Sequence, residues 1–442
     1  MSIGIVGGGI GGIAAAIRLA KSGRFSITIF EKEEEIGGLS STYRWQDLTC
    51  DRFYHIILPT DSCLLQFIRD LGLESSLFWA TTRSGFYGNG RLVSLSSTRD
   101  FLRFPFMSLW QKLRLGIGIL YASRIQTPHK LDLMSARTWL TRLFGVGTYE
   151  EIWEPLLRSK FGDASDRVSA FLVWATIKRL YGTRSSVEKK EVMGHVQGGY
   201  KAIFDAARKN LHFSGAVILS GTKIEKVATD RRNRKILITS TSSRYEFDRL
   251  LITSPCDEVL RIIEDDKENP YWQRLARIEY LGVICLFLVL KRRLSPYYII
   301  NLLDPALPFT GIIESTNVIS PGSFGGRYLV YLPKYVTTDD PFVRISDREI
   351  RSRFLEKLNQ VFPDLNENDI LHERIFREKY VQPVPKIGFL GKRVGFRTPM
   401  PGVYLMNSSM ISDSTLNNNA MVSLAGEVAE MIIRDTLLQM AY

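Results

Sequence analysis

The spacing of apolar positions changes character along this chain, and each change marks an element. Ile3, Ile5 and Val6 form a short β-branched run, Ile13 to Ala20 repeat at helical spacing, and Phe25, Ile27 and Ile29 alternate as a strand does. Strand, helix and strand therefore follow one another at the very start, with a glycine-rich joint between the first two. A helix is expected near residues 61–71, and Tyr87-Gly88-Asn89-Gly90-Arg91 reads as a hairpin with an Asn-Gly centre. From 97 to 181 the apolar residues recur at three- and four-residue intervals, so this stretch reads as mostly helical and interrupts the opening α/β pattern.

Around Gly198-Gly199-Tyr200 the period shifts again. A helix over about 199–210 is followed by short strands at Val217–Leu219, Lys223–Ala228, Ile236–Thr239 and Leu250–Thr253, with a polar turn at Asp230–Arg234. Leu281 to Leu290 is an unbroken apolar run rich in β-branched residues, too short for a membrane span, and reads as a buried strand within a strand-rich region 280–335. A helix over about 346–361, a proline-punctuated loop from Tyr380 to Pro401, a buried strand at Val403–Met406 and a final helix from Ala420 to Leu437 complete the reading. The expected fold class is α/β (α+β): a Rossmann-like nucleotide domain, discontinuous in sequence, interleaved with a mixed-sheet and helical substrate domain. The expected pieces are 1–85, 196–265 and 391–442 for the nucleotide domain, and 86–195 (helical) and 266–390 (sheet and helix) for the substrate domain.

The joint after the first strand carries chemistry. Gly7-x-Gly9-x-x-Gly12 sits between strand and helix, which is the dinucleotide fingerprint. Gly7 permits the tight turn, Gly9 lets backbone approach a pyrophosphate, and Gly12 lets the helix pack on the strand. The pyrophosphate then rests on the helix's free N–H groups. The second strand ends on Glu31, placed about 20 residues beyond the glycines, where a carboxylate accepts hydrogen bonds from an adenosine ribose.

Composition narrows the rest. The chain's 442 residues, 45% hydrophobic and 24% charged, suit a large two-lobed globular body. The first strand begins so early that no signal peptide is expected, and four scattered cysteines (Cys50, Cys63, Cys256, Cys285) have neither metal nor disulfide spacing, so no metal site and a reduced, cytoplasmic setting are expected. The net charge of +12 comes without a basic–aromatic module, and no nucleic-acid partner is expected. Between Phe101 and Arg124, however, aromatic and aliphatic residues surround Arg103, Lys112 and Arg114. Two readings stand: core helices over a substrate cavity, which an apolar helix face favours, or a helix resting on a membrane surface.

The block Gly7-x-Gly9-x-x-Gly12-x3-Ala16-x2-Leu19-x3-Gly23, followed by Glu31-x5-Gly37-Gly38-x3-Thr42, resembles the flavin-containing amine oxidase superfamily, which includes protoporphyrinogen oxidases, carotenoid desaturases and, more distantly, UDP-galactopyranose mutases. Further matching segments are Asp51 to Ile56, Trp153-x-Pro155-Leu156-Leu157-x3-Phe161-Gly162, Gly198-Gly199-Tyr200, Gly402-Val403-Tyr404-Leu405 and Asn418 to Gly426. The nearest likeness is to protoporphyrinogen-oxidase-like FAD oxidoreductases. The resemblance implies FAD held at its pyrophosphate by Gly7, Gly9, Gly12 and the amides of Ile10 and Gly11, and at its ribose by Glu31 with Lys32 alongside. It implies that Gly37, Gly38 and Leu39 run beside the pyrophosphate and ribityl chain, that the Lys223 backbone brackets adenine, and that Asp413 approaches the ribityl or phosphate end. Asn419, Ala420 and Met421 would open a helix toward the flavin pyrimidine, and His55 would lie beside the isoalloxazine. Leu39 departs from the Arg or Lys of many members, and Ile411–Thr415 lacks a Tyr-Pro and an Arg seen in some. No cysteine follows Cys285, so FAD is expected to be non-covalent.

No second dinucleotide fingerprint is present, so electrons would pass to oxygen, a quinone or another carrier. Desaturation over a flavin needs alignment and dryness more than a catalytic dyad. His55 and Lys386 are the catalytic candidates, the latter as a lysine bridging water to the flavin; their plain alternatives are a structural histidine and a solvated loop lysine. Trp174, Lys178 and Arg179 either line a pocket or are a core aromatic with solvated cations. The leading reading is dehydrogenation of a hydrophobic or amphipathic small molecule. The alternatives are a mutase on a nucleotide- or lipid-linked sugar, which needs Arg158, Arg179 and Arg327 to converge on a diphosphate, and a non-catalytic FAD-binding protein.

Overall fold

The computed structural model describes residues 1–181, 191–230, 232–412 and 415–440. Ser2–Val6 is the centre of a five-stranded parallel sheet, ordered 403–405, 249–252, 2–6, 26–30, 217–219. Ile5 lies opposite Ile29 on one side and Leu251 on the other, and all three are fully buried. A strand covered on both faces must be apolar throughout, which is why the opening run does not alternate. The first helix (Ile10–Lys21) buries Ala14, Ala15 and Ala16, small residues that allow close packing, and the terminal helix (Asn418–Met440) buries Ala425, Val428, Ala429 and Ile432 in the same core. The strands of this sheet come from three separated stretches of chain, so the chain leaves and re-enters the layer. An antiparallel trio, 224–230, 235–240 and 244–247, packs Tyr245 and Phe247 edge-on against Phe30.

The second sheet is mixed and seven-stranded, ordered 370–383, 280–290, 328–336, 311–314, 299–302, 84–88, 91–94. Its pairings are antiparallel except that 299–302 runs parallel to 84–88. The Asn-Gly hairpin forms as expected, with Asn89 and Gly90 at φ of 48° and 70°, the positive values such a turn requires. The apolar run becomes the strand Tyr280–Leu290, buried along its whole length and paired on both sides. Its alternation now divides two cores: Ile284, Leu286 and Leu288 face the helix Asp347–Val361, whereas Cys285, Phe287 and Val289 face Phe53 and Tyr331.

Two expectations are adjusted. The strand Ile370–Pro383 continues through Tyr380, where a loop was expected, because Tyr280 and Leu281 supply partners as far as Pro383. It is an edge strand, where a proline without an N–H is tolerated. The helix Leu109–Ser123 has one face in the core and the other open to solvent. Lys112, Leu115, Gly118 and Ala122 are buried, with Gly118 so close to Phe144 that a Cβ would lie 2.5 Å from that ring. The other face leaves Leu109 (74%), Trp110 (71%), Ile117 (60%), Leu113 and Tyr121 open to solvent.

Candidate functional site

The glycine turn is built to receive an anion. Gly7 adopts φ of 110° and donates to the Phe30 carbonyl at 2.8 Å, which bends the chain sharply out of the sheet. A Cβ on Gly12 would lie 2.1 Å from the Gly7 carbonyl oxygen, so only glycine lets the first helix sit this close to the strand. Gly9 is different: a Cβ there meets nothing nearer than Gly38 Cα at 3.9 Å, so its face is open. Gly9 is also the helix N-cap; no side chain caps it and no acid lies in the first turn. Free amides and the positive end of the helix dipole therefore face this opening, and a pyrophosphate fits them. Gly37, at φ of 139°, donates to the Gly8 carbonyl at 2.9 Å and lays the Gly37-Gly38 loop along the turn. Leu39 packs into the aromatic cluster around Phe287, an apolar contact where a cation would be isolated.

Glu31 is buried at 6% exposure, with Oε2 accepting from Gly8 N at 2.8 Å and Oε1 from Glu33 N at 3.0 Å. Burial raises its pKa against the pull of those two amides. A carboxylate has about four acceptor positions, so two remain for ribose hydroxyls. The Lys32 side chain is exposed and pairs with Glu258 at 3.1 Å. The Lys223 side chain is also exposed, but Thr222 N donates to the Glu31 carbonyl at 2.8 Å and brings the adjoining backbone to the same edge. Asp413 lies outside the described residues.

A second cluster joins three distant segments. His55 Nδ1 lies 2.9 Å from the Phe53 carbonyl, which fixes the proton on Nδ1 and leaves Nε2 to accept from Ser40 Oγ at 3.3 Å. Ser40 Oγ in turn accepts from Asn418 Nδ2 at 3.0 Å. Burial lowers the His55 pKa to about 4, so the imidazole is neutral at physiological pH and cannot serve there as a cationic acid. Asn419 Oδ1 accepts from Leu64 N at 3.0 Å, and Asn417 Oδ1 from Ala420 N at 2.9 Å, fixing the start of the terminal helix. The Met421 thioether lies against Gly11, where a Cβ would be 3.0 Å from it, so the two helix N-termini meet. Ser40, Asn418 and their link to His55 were not singled out from the sequence. The polar triplet Asn417–Asn419 was the available signal, since Asn is favoured at helix starts.

Beside His55, Asp51 Oδ1 accepts from Tyr200 N at 3.1 Å, and burial pushes its pKa up to about 7. Between the usual carboxylate range and that value the folded chain keeps a proton that the unfolded chain releases. Stability from this group is therefore lost as pH rises through the window. Relative to Asp51→Asn, the wild-type melting temperature should fall on going from about pH 5 to about pH 8; a constant difference would contradict the burial.

The wall beyond His55 is aromatic. Tyr54 and Tyr335 hydroxyls meet at 3.3 Å, and Tyr331 donates to the Asp51 carbonyl at 2.7 Å. Lys160 lies over Tyr335, its ammonium 5.3 Å from the ring centre, and burial lowers its pKa to about 8. Other sequence candidates have partners of their own. Lys386 pairs with exposed Glu279. Trp174 is buried and donates to the Ala122 carbonyl at 3.0 Å, with Lys178 over its ring. Arg179 pairs with Asp61, Arg158 with Glu154 and Arg327 with Asp47, three different carboxylates on three different segments. Among the described residues no cluster of metal ligands occurs.

The two-sheet body is matched by known proteins. The model of the family described as flavin containing amine oxidoreductase matches residues 10–412. The chain belongs to that family. A protein named flavin-containing monoamine oxidase AofH, from Mycobacterium tuberculosis, is 24% identical over 285 residues, 62% of this chain and 61% of that relative. The aligned part thus spans less than two thirds of that relative's length. A 15-cis-phytoene desaturase of Capsicum annuum is 22% identical over 446 residues, covering 92% of this chain and 73% of the relative. A triple mutant of putrescine oxidase superposes with a TM-score of 0.77 at 15% identity over 98% of this chain and 99% of that one, a likeness of fold. A flavin is the cofactor the family's description names, and the uncapped helix over an open Gly9 face fits its phosphate end.

Proposed function

We propose that the protein is an FAD-dependent oxidoreductase that dehydrogenates a hydrophobic or amphipathic small molecule. The observation that carries this reading is the pairing of the Gly9 cradle and buried Glu31 with the tyrosine-lined wall beside His55. Bound non-covalently, FAD supplies a two-electron acceptor. The residues do the remaining work. Gly7, Gly9 and Gly12 hold the phosphates on backbone amides, and Glu31 takes the ribose. Neutral His55, held by Phe53 and Ser40, sets the edge of the cleft without adding charge, and the tyrosines orient an apolar substrate and exclude water. Oxygen, a quinone or another carrier would serve as the final electron acceptor. The separate pairing of Arg158, Arg179 and Arg327 speaks against a sugar-diphosphate mutase. Mixing the yellow protein anaerobically with amphipathic alkyl amines, acids and polyenes tests the reading. Bleaching by one class is expected, whereas turnover of a nucleotide sugar only after dithionite reduction would replace it.

The exposed face of Leu109–Ser123 suits a peripheral membrane position at an anionic phospholipid surface. Its apolar side chains stand beside Arg99, Arg103, Arg124 and Lys130, with Asp100 alone of opposite sign between residues 98 and 130. No helix among the described residues is long and apolar enough to cross a membrane. The protein should co-sediment with phosphatidylglycerol-containing vesicles and less with phosphatidylcholine alone. The double variant Leu113→Gln/Ile117→Gln should bind at least about tenfold more weakly at an unchanged melting temperature. Equal binding by the variant, or a dimer that buries this face, would exclude the membrane role.

A further inference from the structure

Lys160 stands out among the charged groups outside the cofactor cradle. It is partly buried and has no hydrogen-bond or ion-pair partner among the described residues, and its ammonium lies 5.3 Å from the Tyr335 ring and 5.7 Å from the Phe161 ring. The Coulomb attraction of a carboxylate plays no part in its environment, where burial is the sole cause of its lowered pKa. Its position ties it to the candidate site: Tyr335 hydrogen-bonds Tyr54, the residue before His55, and His55 reaches Ser40 and Asn418 at the end of the cofactor cradle. A cation held this way costs desolvation that ring faces only partly offset, unless an anion joins it. Structural lysines in this chain look different. Lys112 is more deeply buried yet donates to the Leu102 carbonyl at 2.7 Å, and Lys334 has Asp340 at 3.6 Å.

We propose that Lys160 is the anchor for an anionic head group, a carboxylate or a phosphate monoester, on a substrate whose apolar body lies along Tyr54 and Tyr335. The site thereby selects amphipathic acids over neutral or cationic molecules of the same length. The aromatic wall takes the chain by area, and the ammonium fixes its end, so the reacting carbon stands at a set distance from the cradle. This rests on the oxidoreductase reading, and its test is chosen to separate the two. The yellow holoprotein is titrated by calorimetry and by perturbation of its flavin absorbance with four probes: decanoate, decyl phosphate, decanol and decylamine. Wild type is expected to bind one or both acids at least about tenfold more tightly than decanol and decylamine. Lys160→Met should lose that preference, binding the acids about tenfold or more weakly while decanol binding, flavin content and melting temperature hold. Lys160→Arg, which keeps the charge, should restore most of the preference. Acid binding unchanged in Lys160→Met, or a parallel loss of decanol, would overturn the anchor. Decanoate against decyl phosphate distinguishes the two head groups. A wild-type protein without flavin would instead overturn the cofactor reading on which the anchor depends.

Discussion

A Gly9→Ala protein should fold normally and purify without flavin, whereas Gly12→Ala should lose both flavin and stability. The two glycines lie three positions apart in one turn, but they do different things. A methyl on Gly12 would stand 2.1 Å from the Gly7 carbonyl oxygen, with Thr253 Oγ1 also within 3.4 Å. Backbone cannot yield there without moving the first helix off the sheet, an overpacking that costs about 1–3 kcal/mol or more. A methyl on Gly9 touches only Gly38 Cα, at 3.9 Å, so the fold does not register it. It does fill the face through which a pyrophosphate reaches the helix amides, and bound flavin should fall at least about tenfold. Flavin-to-protein absorbance ratios and apoprotein melting curves of both variants check this. A Gly9→Ala protein that keeps its flavin would show that the phosphates lie elsewhere.

Glu31→Gln should weaken FAD about tenfold to a hundredfold and leave FMN, which has no adenosine ribose, nearly untouched. The wild-type carboxylate accepts from Gly8 N at 2.8 Å and Glu33 N at 3.0 Å while keeping acceptor positions free. A carboxamide of the same shape has one oxygen for two backbone donors. Its NH2 must face an amide N–H in a buried pocket, leaving donor against donor at a cost of about 1–3 kcal/mol. The orientation of the Gly8 peptide, and with it the turn, is then disturbed on the ribose side. Competitive reconstitution of apoprotein with FAD and FMN measures the ratio; an equal loss for both flavins would remove Glu31 from the ribose.

The glycine turn and the buried acid after the second strand were legible because their parts are local. Glycines at fixed offsets, a helix pattern after them and an acid ending the next strand are properties of about thirty consecutive residues, the length of one βαβ unit. The hairpin at Asn89-Gly90 was legible for the same reason. The His55 environment was not, because Ser40 and Asn418 are 378 positions apart and meet only when the terminal helix docks against the first. Lys386 and Lys160 illustrate the limit more sharply. In sequence both are lysines near apolar residues. Only the fold supplies one with Glu279 and leaves the other facing the rings of Tyr335 and Phe161. The helix Leu109–Ser123 defeated periodicity differently: both of its faces are apolar, so spacing identified a helix without saying which side the core would take.

The central claim is that this chain holds FAD without a covalent bond and uses it for redox chemistry. Acid precipitation of the purified protein, followed by chromatography of the supernatant, tests it most directly. The account predicts FAD in the supernatant at about one per chain, as a single site requires, and a higher melting temperature when FAD is added to apoprotein. A colourless protein that gains no stability from added FAD, or flavin that stays with the pellet, would contradict it.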